Sequence, residues 1–158
     1  MKKLSFFIVG TGLLTAFDQL TKVLAIRYLK DMPGITLVPG IFELCYVENL
    51  GSAWGMFRNL QWISLLFTVL MIAAVLYGFI NVPQTKHYRA FRVLAAILSA
   101  GALGNAIDRL IRGYVVDFFY FSLIDFPVFN VADCFICVSL VLLLFIYRNE
   151  DFAWMKKS

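Results

Sequence analysis

The chain has 158 residues, one ordinary domain's worth, yet 61% of them are hydrophobic and only 15% are charged. Soluble domains carry about 45–50% apolar and about 25% charged residues, so a water-soluble globule, a disordered chain and a disulfide-stapled module are excluded. Fourteen basic against ten acidic residues leave a net charge of +4, and no nucleic-acid partner is expected. What remains is a membrane protein with several spans.

A membrane-crossing helix needs about 20 largely apolar residues. The first run covers residues 5–26, is interrupted by Asp18 and Lys22, and keeps helical character to 28. Its start, Met1-Lys2-Lys3 before apolar residues, resembles a signal peptide, but no small-residue cleavage site follows, so it is read as a retained span. Residues 29–60 form an outer segment in which 35–38 and 41–47 read as two short strands around Pro39-Gly40. The second span covers 61–80, with no charge at all, and the third covers 90–110, apolar until Asp108. A second outer segment, 111–130, is β-prone at 114–121 and 126–129. The fourth span, 131–147, carries Asp133 in its first turn. The fold expected is mainly α: four transmembrane helices and a small extracytoplasmic β-sheet, in a single membrane-embedded domain over 1–158.

Orientation follows from basic residues near the span ends. Lys2, Lys3, Lys86, Arg89, Arg92, Arg148, Lys156 and Lys157 lie on one side, eight against the six of Lys22, Arg27, Lys30, Arg58, Arg109 and Arg112 on the other. Both termini and the loop after the second span are therefore expected in the cytoplasm, with 28–60 and 111–130 facing outward.

A carboxylate at mid-bilayer costs about 2.5–3.5 kcal/mol on insertion scales, so the polar residues of the spans need a reason. Thr11, Thr15, Asp18 and Lys22 fall on one helical stripe, which should face the bundle, and Asp18 and Lys22 have the i, i+4 spacing of an ion pair. Ala96, Ala100 and Gly104 are small residues at four-residue spacing, suited to close helix packing. Gly101, Asn105 and Asp108 share another face of that helix beside Arg109, and a hydrogen-bond cluster or a substrate contact accounts for them equally well. Cys134 and Cys137 form a C-x-x-C inside an apolar run and read as two small apolar residues on one helix face, not as a redox pair. One His and three Cys are too few for a metal centre, and neither metal nor cofactor is expected.

Asp117 lies in the apolar stretch 114–119, and Asp133 follows Phe129-Asn130-Val131-Ala132. Two acids brought close cannot both ionise easily, and such a pair supplies both a base for water and an acid for the leaving group. Carboxylates in membranes also relay protons in transporters. Composition and spacing leave a peptidase and a small proton-coupled transporter open.

Five blocks resemble the lipoprotein signal peptidases, the type II signal peptidases of bacteria. They are Asp18-Gln19-Leu20-Thr21-Lys22, Asn49-Leu50-Gly51-Ser52-Ala53-Trp54-Gly55, the run Gly101 to Arg109 containing Gly104, Asn105 and Asp108, Val115-Val116-Asp117-Phe118, and Phe129-Asn130-Val131-Ala132-Asp133. They occur in order from the first span to the last. The resemblance implies an aspartyl endopeptidase that cleaves lipid-modified prolipoproteins before the diacylglyceryl-cysteine. It implies residence in the bacterial cytoplasmic membrane among its lipids, with the site near the outer face, and a monomer is expected. The catalytic pair would be Asp117 and Asp133. Asn49 and Arg109 would contact or orient the substrate backbone, with Gly51 in the same block as Asn49. Asn105, Asp108 and Asn130 would support them, along with Asp18 and Lys22. Trp54, Phe118 and Phe119 are candidates for a clamp or lid. Ser52 and Cys134 depart from the family's usual small residues, and the segment joining Asp117 to Asp133 is slightly short.

Overall fold

The computed structural model describes residues 2–51 and 61–149. Four helices carry most of them: α1 (Lys2–Leu29), α2 (Gln61–Asn81), α3 (Arg89–Arg112) and α4 (Val131–Tyr147). Each lies within a few residues of its expected span. The first three are long and apolar enough to cross a membrane. At 17 residues α4 is at the short end of the range. It nonetheless runs antiparallel along α3, from Asn105 beside Asp133 at one end to the Phe91 N–H on the Tyr147 hydroxyl at the other. Leu66, Phe67, Val69 and Leu70 of α2 and Val141, Leu144 and Phe145 of α4 are all exposed. In water these side chains would be untenable; in a bilayer they face lipid.

α3 is the central helix, packed against the other three. Its buried residues are small, among them Ala95, Ala96, Ala100, Gly101, Ala102 and Gly104, and small residues let backbones approach closely. A Cβ at Gly101 would stand 2.5 Å from the Ala132 carbonyl oxygen and 2.9 Å from Ile136 Cγ1. On the α1 side the same thinness exposes carbonyls to side-chain donors. Thr11 donates to the Ala96 carbonyl (3.2 Å), Thr15 to that of Ala100 (3.3 Å) and Gln19 to that of Gly104 (3.1 Å), each pair 85 residues apart. The constant offset means that α1 and α3 run parallel. The expected bundle-facing stripe of α1 is thus a ladder of hydrogen bonds to α3, where a lost partner would leave a polar group in hydrocarbon.

The chain leaves α3 through Gly113, whose φ of +79° places it in the left-handed region, and enters β3 (Val115–Tyr120). β1 (Ile35–Val38) and β2 (Phe42–Asn49) form the expected hairpin around Pro39-Gly40, with Gly40 at φ +69°. The sheet is antiparallel in the order β1-β2-β3. Its inner face rests on the last turns of α1, where Ala25 and Leu29 pack against Val116 and Phe118. The second β-prone stretch, 126–129, does not form a strand. Only Phe129 bridges, to Phe119. A 3₁₀ turn at Ser122–Ile124 and a left-handed Asp125 intervene, and Pro127 has no N–H for a ladder.

Candidate active site

Sheet register and helix capping converge at the end of the bundle that carries the sheet. β2 pairs with β3 so that Val47 stands opposite Asp117 and Asn49 opposite Val115. The Asn49 side chain then donates to Asp117 Oδ2 at 2.8 Å. Asp117 is 2% exposed, on a strand buried from Val115 to Phe118. Asn130 is the N-cap of α4 and Asp133 the third residue inside it. Their side chains and backbone N–H groups bond reciprocally, at 3.0 Å to Asn130 Oδ1 and 3.1 Å to Asp133 Oδ2.

The two carboxylates meet through shared asparagines. Asn130 donates its amide to Asp117 Oδ1 (2.5 Å) and to Asn105 Oδ1 (3.2 Å), and Asn105 donates to Asp133 Oδ1 (2.8 Å). All four carboxylate oxygens therefore accept from amides, and among the described residues none makes a direct salt bridge. Burial, with the Asp133 charge adding to it, pushes Asp117 up to about 7, against the pull of the Asn49 and Asn130 donors. Asp133 differs in position: it sits in the first turn of α4 and is half-buried.

A cleft of about 430 Å³ opens on this pair. Asn49, Gly51, Asn105, Arg109, Asp117 and Asp133 supply its polar groups, and Phe126, Pro127, Val128, Phe129, Ile136 and Val138 its apolar walls. A second cavity of about 310 Å³ lies toward α2, between Phe67, Thr68 and Met71, and shares Asn105, Arg109 and Asp133. Arg109 thus stands between two clefts, held by contacts of 3.3 Å to the Asn105 carbonyl and 3.4 Å to that of Gly51. The Gly51 N–H in turn donates to Asn49 Oδ1 at 3.0 Å.

Asp18, Lys22 and Asp108 lie one layer deeper, all with no exposed surface. The predicted Asp18–Lys22 pair is present at 3.0 Å. Asp108 is satisfied differently from the local expectation. Its partners are Lys22 (3.1 Å), Arg112 and Gln19, rather than Asn105 and Arg109. The Arg112 pairing has a readable i, i+4 spacing. Gln19 had no signal of its own; its position next to Asp18 turns it toward α3.

Some expectations need correcting. Phe118 and Phe119 do not face the cleft. Phe118 packs behind the sheet on Ala25 and Leu29, and Phe119 lies against Phe42 and Phe129. Alternation along β3 sends them away from Asp117 or to the strand's end. Trp54, Ser52 and Arg58 lie outside the described residues. Cys134 and Cys137 do share a helix face, and that face lines the cleft.

A carboxylate pair, one member buried and the other half-buried, in an apolar-walled cleft at one end of a membrane-spanning bundle is the equipment of a membrane aspartic-type peptidase. The family model described as signal peptidase (SPase) II matches residues 11–148, and the chain belongs to that family. It is 34% identical over 154 residues to the lipoprotein signal peptidase of Streptococcus pyogenes serotype M1, covering 97% of this chain and 99% of that one. The lipoprotein signal peptidase of S. pyogenes serotype M18 (strain MGAS8232) is 33% identical with the same coverage. Two solved structures of bacterial membrane enzymes obtained by the in meso method share the fold. The one at 2.3 Å resolution has a TM-score of 0.79 and 28% identity, covering 98% of this chain and 92% of that one. The one at 1.9 Å has a TM-score of 0.78 and 30% identity, covering 93% and 94%. The protein is a multi-pass bacterial membrane enzyme, and the transporter alternative falls.

Proposed function

We propose that this single domain, 1–158, removes signal peptides from lipid-modified prolipoproteins by cutting before the diacylglyceryl-cysteine, with Asp117 and Asp133 as the catalytic pair. The observation that carries this is the amide-bridged carboxylate pair at the mouth of an apolar cleft. A lipidated cysteine stays in the bilayer, so its peptide bond is presented at the membrane surface, where a cleft at the ends of the helices meets it.

The asymmetry of the pair supports a division of labour. Asp133, at the start of α4, is the base that takes a proton from water as the water oxygen attacks the scissile carbonyl carbon. Asp117, buried on β3, is the protonated acid that gives its proton to the carbonyl oxygen. The resulting tetrahedral diol collapses when Asp133 passes its proton to the leaving nitrogen and Asp117 takes one back from a hydroxyl. The pair returns to its starting state, and one water is consumed per peptide bond. Arg109, between the two cavities, directs guanidinium donors at substrate carbonyls, and Asn49 orients Asp117.

The basic asymmetry supports cytoplasmic termini and an active site near the outer face. A reporter fused after Ser158 should behave as cytoplasmic and one inserted near Gly34 as external. The protein is proposed to act as a monomer. The test of function is incubation of detergent-solubilised protein with a diacylglyceryl-modified prolipoprotein and with its unlipidated precursor. A gel shift confined to the lipidated form is expected; release of signal peptide from neither form would overturn the reading.

A further inference from the structure

We propose that Asp18 and Asp108 are positioning residues for the catalytic pair, each acting through one backbone amide. This rests on the reading of Asp117 and Asp133 as the reacting carboxylates. The Ala132 N–H donates to Asp18 Oδ1 at 2.9 Å, and Ala132 is the residue immediately before Asp133. The Val116 N–H donates to Asp108 Oδ2 at 3.1 Å, and Val116 is the residue immediately before Asp117. Each catalytic aspartate is thus anchored one residue upstream, on its main chain, by a carboxylate that belongs to a helix of the bundle.

The chemistry of the anchors fits this use. Ala132 is in the first turn of α4, where N–H groups have no intrahelical acceptor. Asp18 supplies one from another helix. Its second oxygen takes Lys22, so a single carboxylate reads both the backbone of α4 and the bundle. Lys22 has three N–H donors, and they go to Asp18 (3.0 Å), Asp108 (3.1 Å) and Asn105 Oδ1 (2.9 Å). Asn105 carries the third link, to Asp133 Oδ1. One buried ammonium therefore joins both amide anchors and the side-chain bridge. Lys22 and Arg112 pair with Asp18 and Asp108 within this one layer.

Buried ion networks are poor sources of stability compared with apolar packing of the same shape. What this one supplies is geometry, since a misplacement of about 1 Å in reacting groups can cost about 100-fold in rate. The fold also keeps space for it. A Cβ at Gly104 would overlap Asp18 Oδ2 and lie 3.0 Å from its Cγ.

The experiment uses the full chain in detergent with a lipidated prolipoprotein, measuring kcat, KM and the thermal midpoint of Asp18→Ala, Asp18→Asn and Gly104→Ala. Asp18→Ala removes the acceptor, and kcat should fall by about 100-fold with KM within about twofold of the parent. Asp18→Asn keeps an oxygen for the Ala132 N–H, and should recover about tenfold over Asp18→Ala. Gly104→Ala keeps every charge but displaces the Asp18 carboxylate, and should lose kcat, not KM; it carries the test if Asp18→Ala does not fold. Unchanged kcat in Gly104→Ala, or equal losses in Asp18→Ala and Asp18→Asn that follow the thermal midpoint, would make Asp18 a structural ion-pair partner only. Asp117→Asn in the same assay separates the two readings. If it still cleaves, the catalytic assignment fails; if it is inert while Asp18→Ala turns over normally, only the anchoring fails.

Discussion

Asn130 and Asp117 are joined by a 2.5 Å hydrogen bond across 13 residues of chain, while the same Asn130 caps the helix that carries Asp133. One asparagine thus sets the spacing of the two carboxylates and the start of α4. Asn130→Ala should cost about 1 kcal/mol through the lost cap and lower turnover by about 100-fold through the lost spacing. Asn130→Ser restores a cap acceptor but has no amide to reach Asp117. Its thermal midpoint should return while its activity does not, and recovery of both would show that Asn130 serves the helix alone.

Asp117 predicts a pH profile. Its pKa, raised by burial and by Asp133 to about 7, means that the protonated acid is lost as pH rises through that value. kcat/KM should therefore fall on the alkaline side near pH 7. Asn49 donates to the carboxylate and favours its charged form, as do the more distant Lys22 and Arg109. Asn49→Ala should move the alkaline limb to higher pH, whatever it does to the maximal rate. The same shift has a stability consequence. Protonated Asp117 contributes stability fully below the unfolded value of 3.8, and this is lost as pH rises toward 7. A limb that moves to lower pH in Asn49→Ala would contradict the assignment of Asp117 as the acid.

How far the sequence could be read depended on whether partners are close in the chain. The spans were legible because each is a long apolar run, and the β1–β2 turn because Pro39-Gly40 interrupts a β-prone stretch. The Asp18–Lys22 pair was legible from its i, i+4 spacing. Asp117 and Asp133 stood out because charge among apolar neighbours demands a reason. Which asparagine serves which acid did not stand out, because Asn49 meets Asp117 across 68 residues and Asn105 meets Asp133 across 28. Only sheet register and helix packing create those contacts. The same is true of Phe118 and Phe119, whose aromatic character invited a clamp while strand geometry placed them against α1 and the sheet.

Arg109 tests substrate handling. Among the described residues it has no carboxylate within hydrogen-bond reach and two long contacts to carbonyls, and it lines the cleft. A lysine offers a point charge in place of a planar fork. Arg109→Lys should fold normally and lose about 100-fold in turnover, as for removal of an oriented donor. Normal kinetics in this variant would reduce Arg109 to a packing residue.

Gly101 tests the α3–α4 contact. A methyl group there meets the Ala132 main chain, which cannot rotate away, so Gly101→Ala should cost about 1–3 kcal/mol. At Gly12 of α1 a Cβ meets nothing within 4 Å, and Gly12→Ala should be neutral or stabilising by about 0.5–1 kcal/mol. Thermal unfolding of the two variants in one detergent checks the contrast; equal midpoints would deny the close approach.

The measurement that bears most directly on the mechanism is single-turnover cleavage of a lipidated prolipoprotein by Asp117→Asn, Asp133→Asn, the double variant and Asp108→Asn, each confirmed folded by its thermal midpoint. If the two carboxylates act as a unit, either single change abolishes cleavage and the double variant is no worse. Asp108, bonded to Lys22, Arg112 and the Val116 N–H, acts one step away, so Asp108→Asn should retain a measurable rate. Near-normal cleavage by Asp117→Asn beside a folded and inert Asp108→Asn would contradict the account, and would move the acid from β3 to α3.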